Sequence, residues 1–361
     1  MTARGLTAFF AMVAGALLLC QSAAAAAQTT PAAATATQEP RDGQHDFDFE
    51  AGHWRIHLKR LLHPLTGSTT WVAFDGTSVT RMLWNGRAQI EEFETASTAD
   101  HIEGLTLRTY NPESHQWRLY WASSKDGLLV VPQIGQFKNG QGEFYAQDIL
   151  NGKSIFIRFI WSKTDSNTPH FEQSFSEDGG KTWEVNWITD QTRVPEADFR
   201  PQMPAVAEQA GQHDFDFFSG NWQYHLKRLV HPLTGSTTWV EASGTAVVHE
   251  IWGGRANLSE TLANTGSGRV MGLTLRTFNP KTHQWYLYWA NSKDGVIAVP
   301  QIGEFKNGIG EFYAQDTLDD RAILVRFVWS GTTSKVVHFE QSFSADGGKS
   351  WEVNWISESS H

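Results

Sequence analysis

The chain has 361 residues, a formal net charge of −10, 40 % hydrophobic and 12 % aromatic residues, and one cysteine. That balance suits globular domains with a real core, excludes the basic footprint of a nucleic-acid binder and leaves no disulfide framework. No stretch past the N-terminus is long and apolar enough for a membrane-spanning helix.

Residues 1–27 have the form of a secretory signal peptide. Arg4 supplies the positive start, Leu6–Leu19 the apolar stretch and Ala23–Ala27 the small residues for cleavage. Cys20 leaves with it, and Leu19 before that cysteine departs from a lipoprotein box. An exported chain, periplasmic or secreted, is expected. Residues 28–42, rich in Ala, Thr and Pro, are expected to form a disordered leader.

From residue 43 the chain repeats itself. GQHDFDF stands at Gly43–Phe49 and again at Gly211–Phe217, 168 positions later. All sixteen tryptophans fall into pairs at this offset, from Trp54 and Trp222 to Trp187 and Trp355. HPLTGSTTWV, FYAQD, HFEQSF and WEVNWI repeat as well, so a whole domain is duplicated: 43–193 and 211–361, joined by a proline-containing linker at 194–210.

Within a unit, apolar residues recur at period two and turn clusters follow about every ten positions. WRIHLKRLL sets Trp54, Ile56 and Leu58 against Arg55, His57 and Lys59. Strands are expected near 54–62, 68–83, 87–94, 104–110, 116–123, 127–137, 141–148, 153–162, 169–176 and 182–190. Ten antiparallel strands hide their edges most economically by closing into a barrel, with a sandwich as the alternative. The expected fold is all-β: two tandem barrels of about ten strands each, free to pair within the chain. Arg118, replaced by Tyr286 in the second unit, and Ala73, replaced by Glu241, are expected to face outward.

The ordered set FDF, G-x-W, NP…W, GEFY, HFEQSFS, DGGKTWE and NW resembles a bacterial secreted family of unknown function within the calycin (lipocalin-like) superfamily. The resemblance spans nearly all of both units and implies a calycin-like barrel in each. It also implies that Trp54 and Trp222 plug the closed ends, with a late-strand arginine over the indole. Arg193 suits the first unit, but its counterpart is His361, which leaves Arg158 and Arg326 as alternatives.

Polar residues inside the strands are the candidates for function. Arg60 shares the inward parity of Trp54, Ile56 and Leu58; Arg108, Tyr145, Arg158 and Glu172 also sit within strands. Their counterparts are Arg228, Arg276, Tyr313, Arg326 and Glu340. These ten either pair internally, Arg60 with Glu172 and Arg228 with Glu340, or present fixed polar groups to a ligand among aromatic walls. Ile56 against Tyr224 implies two barrels of different affinity.

SEDGGKTW and SADGGKSW fit the Asp-box of sialidase propellers, but one box per unit builds a hairpin and no propeller. His45-Asp46-x-Asp48 offers cation ligands but is read as capping backbone N–H groups at the barrel entrance, His170 is a poor haem ligand beside Glu172, and no nucleophile elbow, P-loop or dinucleotide fingerprint is present. No catalytic, metal or cofactor residue is therefore assigned. The preferred function is binding of a small amphipathic or aromatic ligand without chemistry. A barrel enzyme (isomerase, cyclase or hydrolase), with Glu172, His170 or Tyr145 as acid–base groups, and a structural or protein-binding module with filled barrels are the alternatives.

Overall fold

The structure, a computed structural model, describes residues 41–96, 101–201, 208–265 and 268–361. The signal peptide and all but the last two residues of the leader lie outside the described residues. Those two are bound to the first barrel: Asp42 accepts from the Tyr110 hydroxyl at 2.8 Å, and Arg41 pairs with Asp46.

Ten antiparallel strands close the first barrel: β1 (Gly52–Leu61), β2 (Trp71–Leu83), β3 (Ala88–Thr95), β4 (Glu103–Asn111), β5 (Gln116–Ser123), β6 (Gln133–Lys138), β7 (Gln141–Leu150), β8 (Lys153–Ser162), β9 (His170–Ser176) and β10 (Glu184–Val194). A second closed barrel repeats the plan with β11 (Gly220–Leu229), β12 (Trp239–Ile251), β13 (Ala256–Thr265), β14 (Gly268–Asn279), β15 (Gln284–Asn291), β16 (Gln301–Lys306), β17 (Ile309–Leu318), β18 (Arg321–Ser330), β19 (Val336–Ser344) and β20 (Glu352–Ser360). Each barrel is a meander whose last strand pairs with its first, so no edge strand is left open.

Period two sets the inside. On β1, Trp54, Ile56 and Leu58 are buried while Arg55, His57 and Lys59 are exposed. Trp54 is fully buried and its indole N–H donates to Glu50 O at 2.8 Å; Trp222 does the same to Phe218 O at 2.9 Å. The Arg193 guanidinium lies 4.1 Å above the Trp54 ring and donates to Ala51 O and Phe49 O, whereas the His361 ring covers Trp222 at 3.9 Å. The repeated heptapeptide closes this end of each barrel. Phe47 is fully buried against Trp117, Phe137, Phe144 and Trp161, and Gly43 O accepts from the Trp117 indole at 2.9 Å.

The sixth strand is shorter than expected, Gln133–Lys138 instead of 127–137. Its apolar lead-in, Leu128–Val131, keeps only a single bridge to β5, between Leu129 and Ala122, while Leu129 packs against the other barrel and its N–H donates to the Tyr288 hydroxyl at 3.2 Å. Pro132 then removes the next ladder donor.

That contact belongs to a large apolar seam between the barrels. The outward faces of β3, β4 and β5 carry Ala88, Ile90, Leu105, Leu107, Tyr120 and Ala122, and those of β13, β14 and β15 carry their counterparts; all form one buried cluster. Arg118 and Tyr286 do face out of their own barrels, yet into the neighbouring one: Arg118 donates to Asp294 O at 3.0 Å, and Tyr286 is buried. The seam is self-complementary. Thr109 Oγ1 donates to Gly295 O at 2.6 Å and Thr277 Oγ1 to Gly127 O at 2.5 Å; the Ile297 N–H meets the Tyr120 hydroxyl as Leu129 meets Tyr288. Gly127 and Gly295 have positive φ, and a Cβ at either would lie 2.7 Å from a carbonyl oxygen across the seam. An ion pair also breaks the symmetry, as the Arg118 bond does. Arg255 forks onto Glu103 at 2.7 and 2.8 Å, and the mirror position of Glu103 is Met271.

Two outcomes follow from the seam. The Arg255→Ala variant leaves the Glu103 carboxylate buried and unpaired, so chemical denaturation should report a loss of about 3–5 kcal/mol; a loss under about 1 kcal/mol would show that the pair is effectively solvated. A fragment of residues 41–201 should fold and sediment as a dimer, because Glu103 then meets a second Arg87 at the site Arg255 fills here. Leu107→Glu should turn it into a monomer. A wild-type fragment that stays monomeric at tens of micromolar would contradict the packing described.

Candidate functional site

The first barrel holds a cavity of about 280 Å³ above its plugged end. Its wall and mouth are formed by Phe93, Trp121, Trp187 and Phe171, with Arg60, Ser123 and Lys125 at the rim. Its base is Arg108 with Glu91, flanked by Leu119, Trp161 and Gln191. Inward parity puts Glu91 and Phe93 on β3, Thr106 and Arg108 on β4, and Leu119 and Trp121 on β5; the opposite faces of these strands build the seam.

Arg108 is 1 % exposed. Its Nη2 donates to Glu91 Oε2 at 2.5 Å and its Nη1 to Gln89 Oε1 at 3.5 Å, while the guanidinium lies 5.0 Å from the Phe47 ring and 5.4 Å from Trp161. Gln89 is itself fixed by donating to Phe47 O at 2.6 Å. Glu50, fully buried, completes the group. Burial pushes its carboxyl up to about 8, with Arg108 opposing the rise and Glu91 adding to it. With Glu50 protonated, the Arg108 guanidinium is left with the Glu91 carboxylate as its partner.

The second barrel keeps the arginine and replaces its partners. Arg276 is 3 % exposed; its Nη1 donates to Asn257 Oδ1 at 2.9 Å and Ser259 Oγ at 2.7 Å, and its guanidinium lies 5.2 to 5.3 Å from Phe215, Phe218 and Trp329. Phe218 stands where the first barrel has Glu50, and Ser259 where it has Glu91. Desolvation by burial is the cause that pushes this guanidinium down, to about 9.

Of the ten residues singled out from the sequence, Arg60 and Arg108 border the cavity, and Arg228 and Arg276 occupy the matching positions of the second barrel. The other six lie on the outer faces. On β7, β8 and β9 the inward positions are taken by Phe144, Phe159, Trp161 and Phe171, which turns their neighbours out. Tyr145 is 45 % exposed and bonds Glu143; Arg158 stacks 4.5 Å above Trp183, the indole of the Asp-box hairpin. Tyr313 and Arg326 repeat this pair, with Arg326 4.7 Å above Trp351. The expected pairing of Arg60 with Glu172 does not form, because Glu172 is on the far side of the wall. It accepts from His170 Nε2 at 3.1 Å, as Glu340 does from His338 at 3.0 Å. Burial disfavours the His170 cation, but Asp190 at 2.7 Å together with Glu172 outweighs it and raises the imidazole above its ordinary value. Asn186, also a polar residue in a strand, sits at the β10 bulge and accepts from Gln173 at 2.7 Å.

The cavity residues not singled out in the sequence are Glu91, Phe93, Trp121, Lys125, Trp187 and Gln191. The copies differ at 50, 91, 93 and 191, where the second unit has Phe218, Ser259, Thr261 and Ser359, and this cluster of differences was the available signal. Elsewhere, Glu94, His101 and Glu103 bring ligand-type atoms within 4.8 Å of one another, but both Glu103 oxygens are committed to Arg255.

The raised Glu50 value fixes a pH dependence. Between the ordinary glutamate value, 4.5, and about 8, the folded chain holds a proton that the unfolded chain has released, so stability falls as pH rises through that window. Urea unfolding of the Glu50→Gln variant from pH 4.5 to 8.5 should lack this fall, which is worth on the order of a few kcal/mol in the parent. Parallel pH profiles for parent and variant would place Glu50 as an ordinary, ionised carboxylate.

No protein-family model and no curated protein matches the chain. Among solved structures, a protein of unknown function from the DUF3598 family of Nostoc punctiforme PCC 73102 is similar at 10 % identity and a TM-score of 0.25, over 89 % of this chain and 100 % of that one. A tryptophan-to-alanine mutant of transferrin binding protein B from Haemophilus parasuis Hp5 is similar at 9 % identity and a TM-score of 0.19, over 86 % of this chain and 76 % of that one. At these values neither likeness bears on function.

Proposed function

We propose that the chain is an exported pair of calycin-like barrels whose lumens bind small aromatic or amphipathic molecules without transforming them. The cavity above Arg108 carries this reading. Small-molecule sites are mostly apolar hollows of roughly 300–1,000 Å³ with a few placed polar groups; about 280 Å³ lies just below that range and suits a compact ligand of up to three rings. Phe93, Trp121 and Trp187 offer faces for stacking, and the paired base gives a polar group that needs no further counter-charge. The acid–base candidates His170 and Glu172 support binding over catalysis, since they face away from the lumen and bond each other and Asp190. The signal-like N-terminal sequence supports export. The G-x-W tryptophan under Arg193 supports the calycin likeness.

N-phenyl-1-naphthylamine, a neutral two-part aromatic probe, tests the reading by fluorescence. It should bind the full chain saturably, and Ser123→Trp, which fills the mouth from a partly buried position, should weaken binding at least tenfold. Equal affinity in parent and Ser123→Trp, or no saturable binding, would exclude the first lumen as the site.

A further inference from the structure

The base of the second barrel buries a cation held by neutral groups. Among the described residues no carboxylate bonds Arg276, and the groups that do, Asn257 and Ser259, are neutral. Its Nε is buried without a hydrogen-bond partner, as is that of Arg108. Arginine keeps its charge at neutral pH and presents a planar fork that fits a carboxylate. In a desolvated site an unmatched cation attracts an anion far more strongly than it would in water. Several neighbouring positions also carry smaller side chains than their counterparts. Ala242 replaces Phe74, Thr261 replaces Phe93, and Ser357 and Ser359 replace Thr189 and Gln191. At the rim Trp289 is 37 % exposed and Arg228 is exposed, whereas Trp121 and Arg60 are partly buried. Tyr224, in place of Ile56, adds a phenol to the same lumen.

We propose that the second barrel is the anion-selective half of the molecule and seats the carboxylate of a small organic acid on Arg276, while the first barrel, neutralised by Glu91, takes uncharged ligands. This rests on the reading that the lumens bind small molecules. It adds a division of labour that the duplicated sequence conceals, since the arginine is kept in both copies and only its partners change. The aromatic rings around Arg276 favour an acid with an apolar body.

The full chain is titrated with 4-fluorobenzoate and with 4-fluorobenzamide, followed by fluorine NMR, in the parent and in Ser259→Glu and Arg276→Met. The parent should bind the benzoate at least tenfold more tightly than the amide. Ser259→Glu, which restores the acid of the first barrel, should abolish that preference, and so should Arg276→Met. Neither variant should change binding of N-phenyl-1-naphthylamine, which reports the first lumen and the integrity of the fold. Equal affinity of the parent for benzoate and benzamide, or a preference that survives Ser259→Glu, would overturn the proposal. Loss of N-phenyl-1-naphthylamine binding in the parent would instead overturn the reading beneath it.

Discussion

A guanidinium buried beneath an aromatic-walled lumen is the constraint on which the rest of this molecule turns. Placing a cation where it is 1–3 % exposed costs several kcal/mol unless charge or oriented polar groups compensate it. The first barrel compensates with Glu91 at 2.5 Å and keeps Glu50 protonated, so the base is close to neutral. The second compensates with three ring faces and two neutral acceptors, which hold the cation without cancelling it. The heptapeptide plug serves both arrangements, since Phe47 and Phe215 lie under their arginines at 5.0 and 5.2 Å.

Duplication explains how one scaffold came to hold two such bases. The seam between the barrels is isologous in its apolar core and its Thr–Gly and Tyr–backbone bonds, as in a twofold dimer. In a dimer of identical chains any change at the base would appear twice. In one chain the halves vary separately. The Arg255–Glu103 fork, with no mirror image across the seam, is the same freedom exercised at the interface itself. The seam also gives the inner strands two buried faces, so lumen and interface share β3–β5 and a change in packing on one face is felt on the other.

Most of the fold was legible because period two and an offset of 168 are strong signals. Nine strands fell within a few residues of their places, and only the sixth was misjudged, since of the apolar run Leu128–Val131 only Leu129 packs into the seam and the other three are exposed. The site was legible in part. Parity on β1 gave Arg60, because one face of that strand meets solvent. On β4 both parities are apolar, Leu105 and Leu107 for the seam and Tyr110 for the lumen, so alternation could not say which way Arg108 points. On β7–β9 the outer face carries Tyr145, Arg158 and Glu172 in pairs with Trp183 and His170 that a strand pattern cannot distinguish from inward polar groups. Glu50 was hidden because it lies outside any strand, in the short turn before β1.

The central claim is that the two arginines are held by different physics, and unfolding of two single variants tests it most directly. Arg108→Met strands Glu91 in a dry base and should cost about 3–5 kcal/mol in chemical denaturation. Arg276→Met removes a buried cation and strands no charge, so its cost should stay within about 1 kcal/mol or change sign. Equal and large losses in both variants would contradict the account, because they would mean that Arg276 has a counter-charge as close as Glu91 is to Arg108.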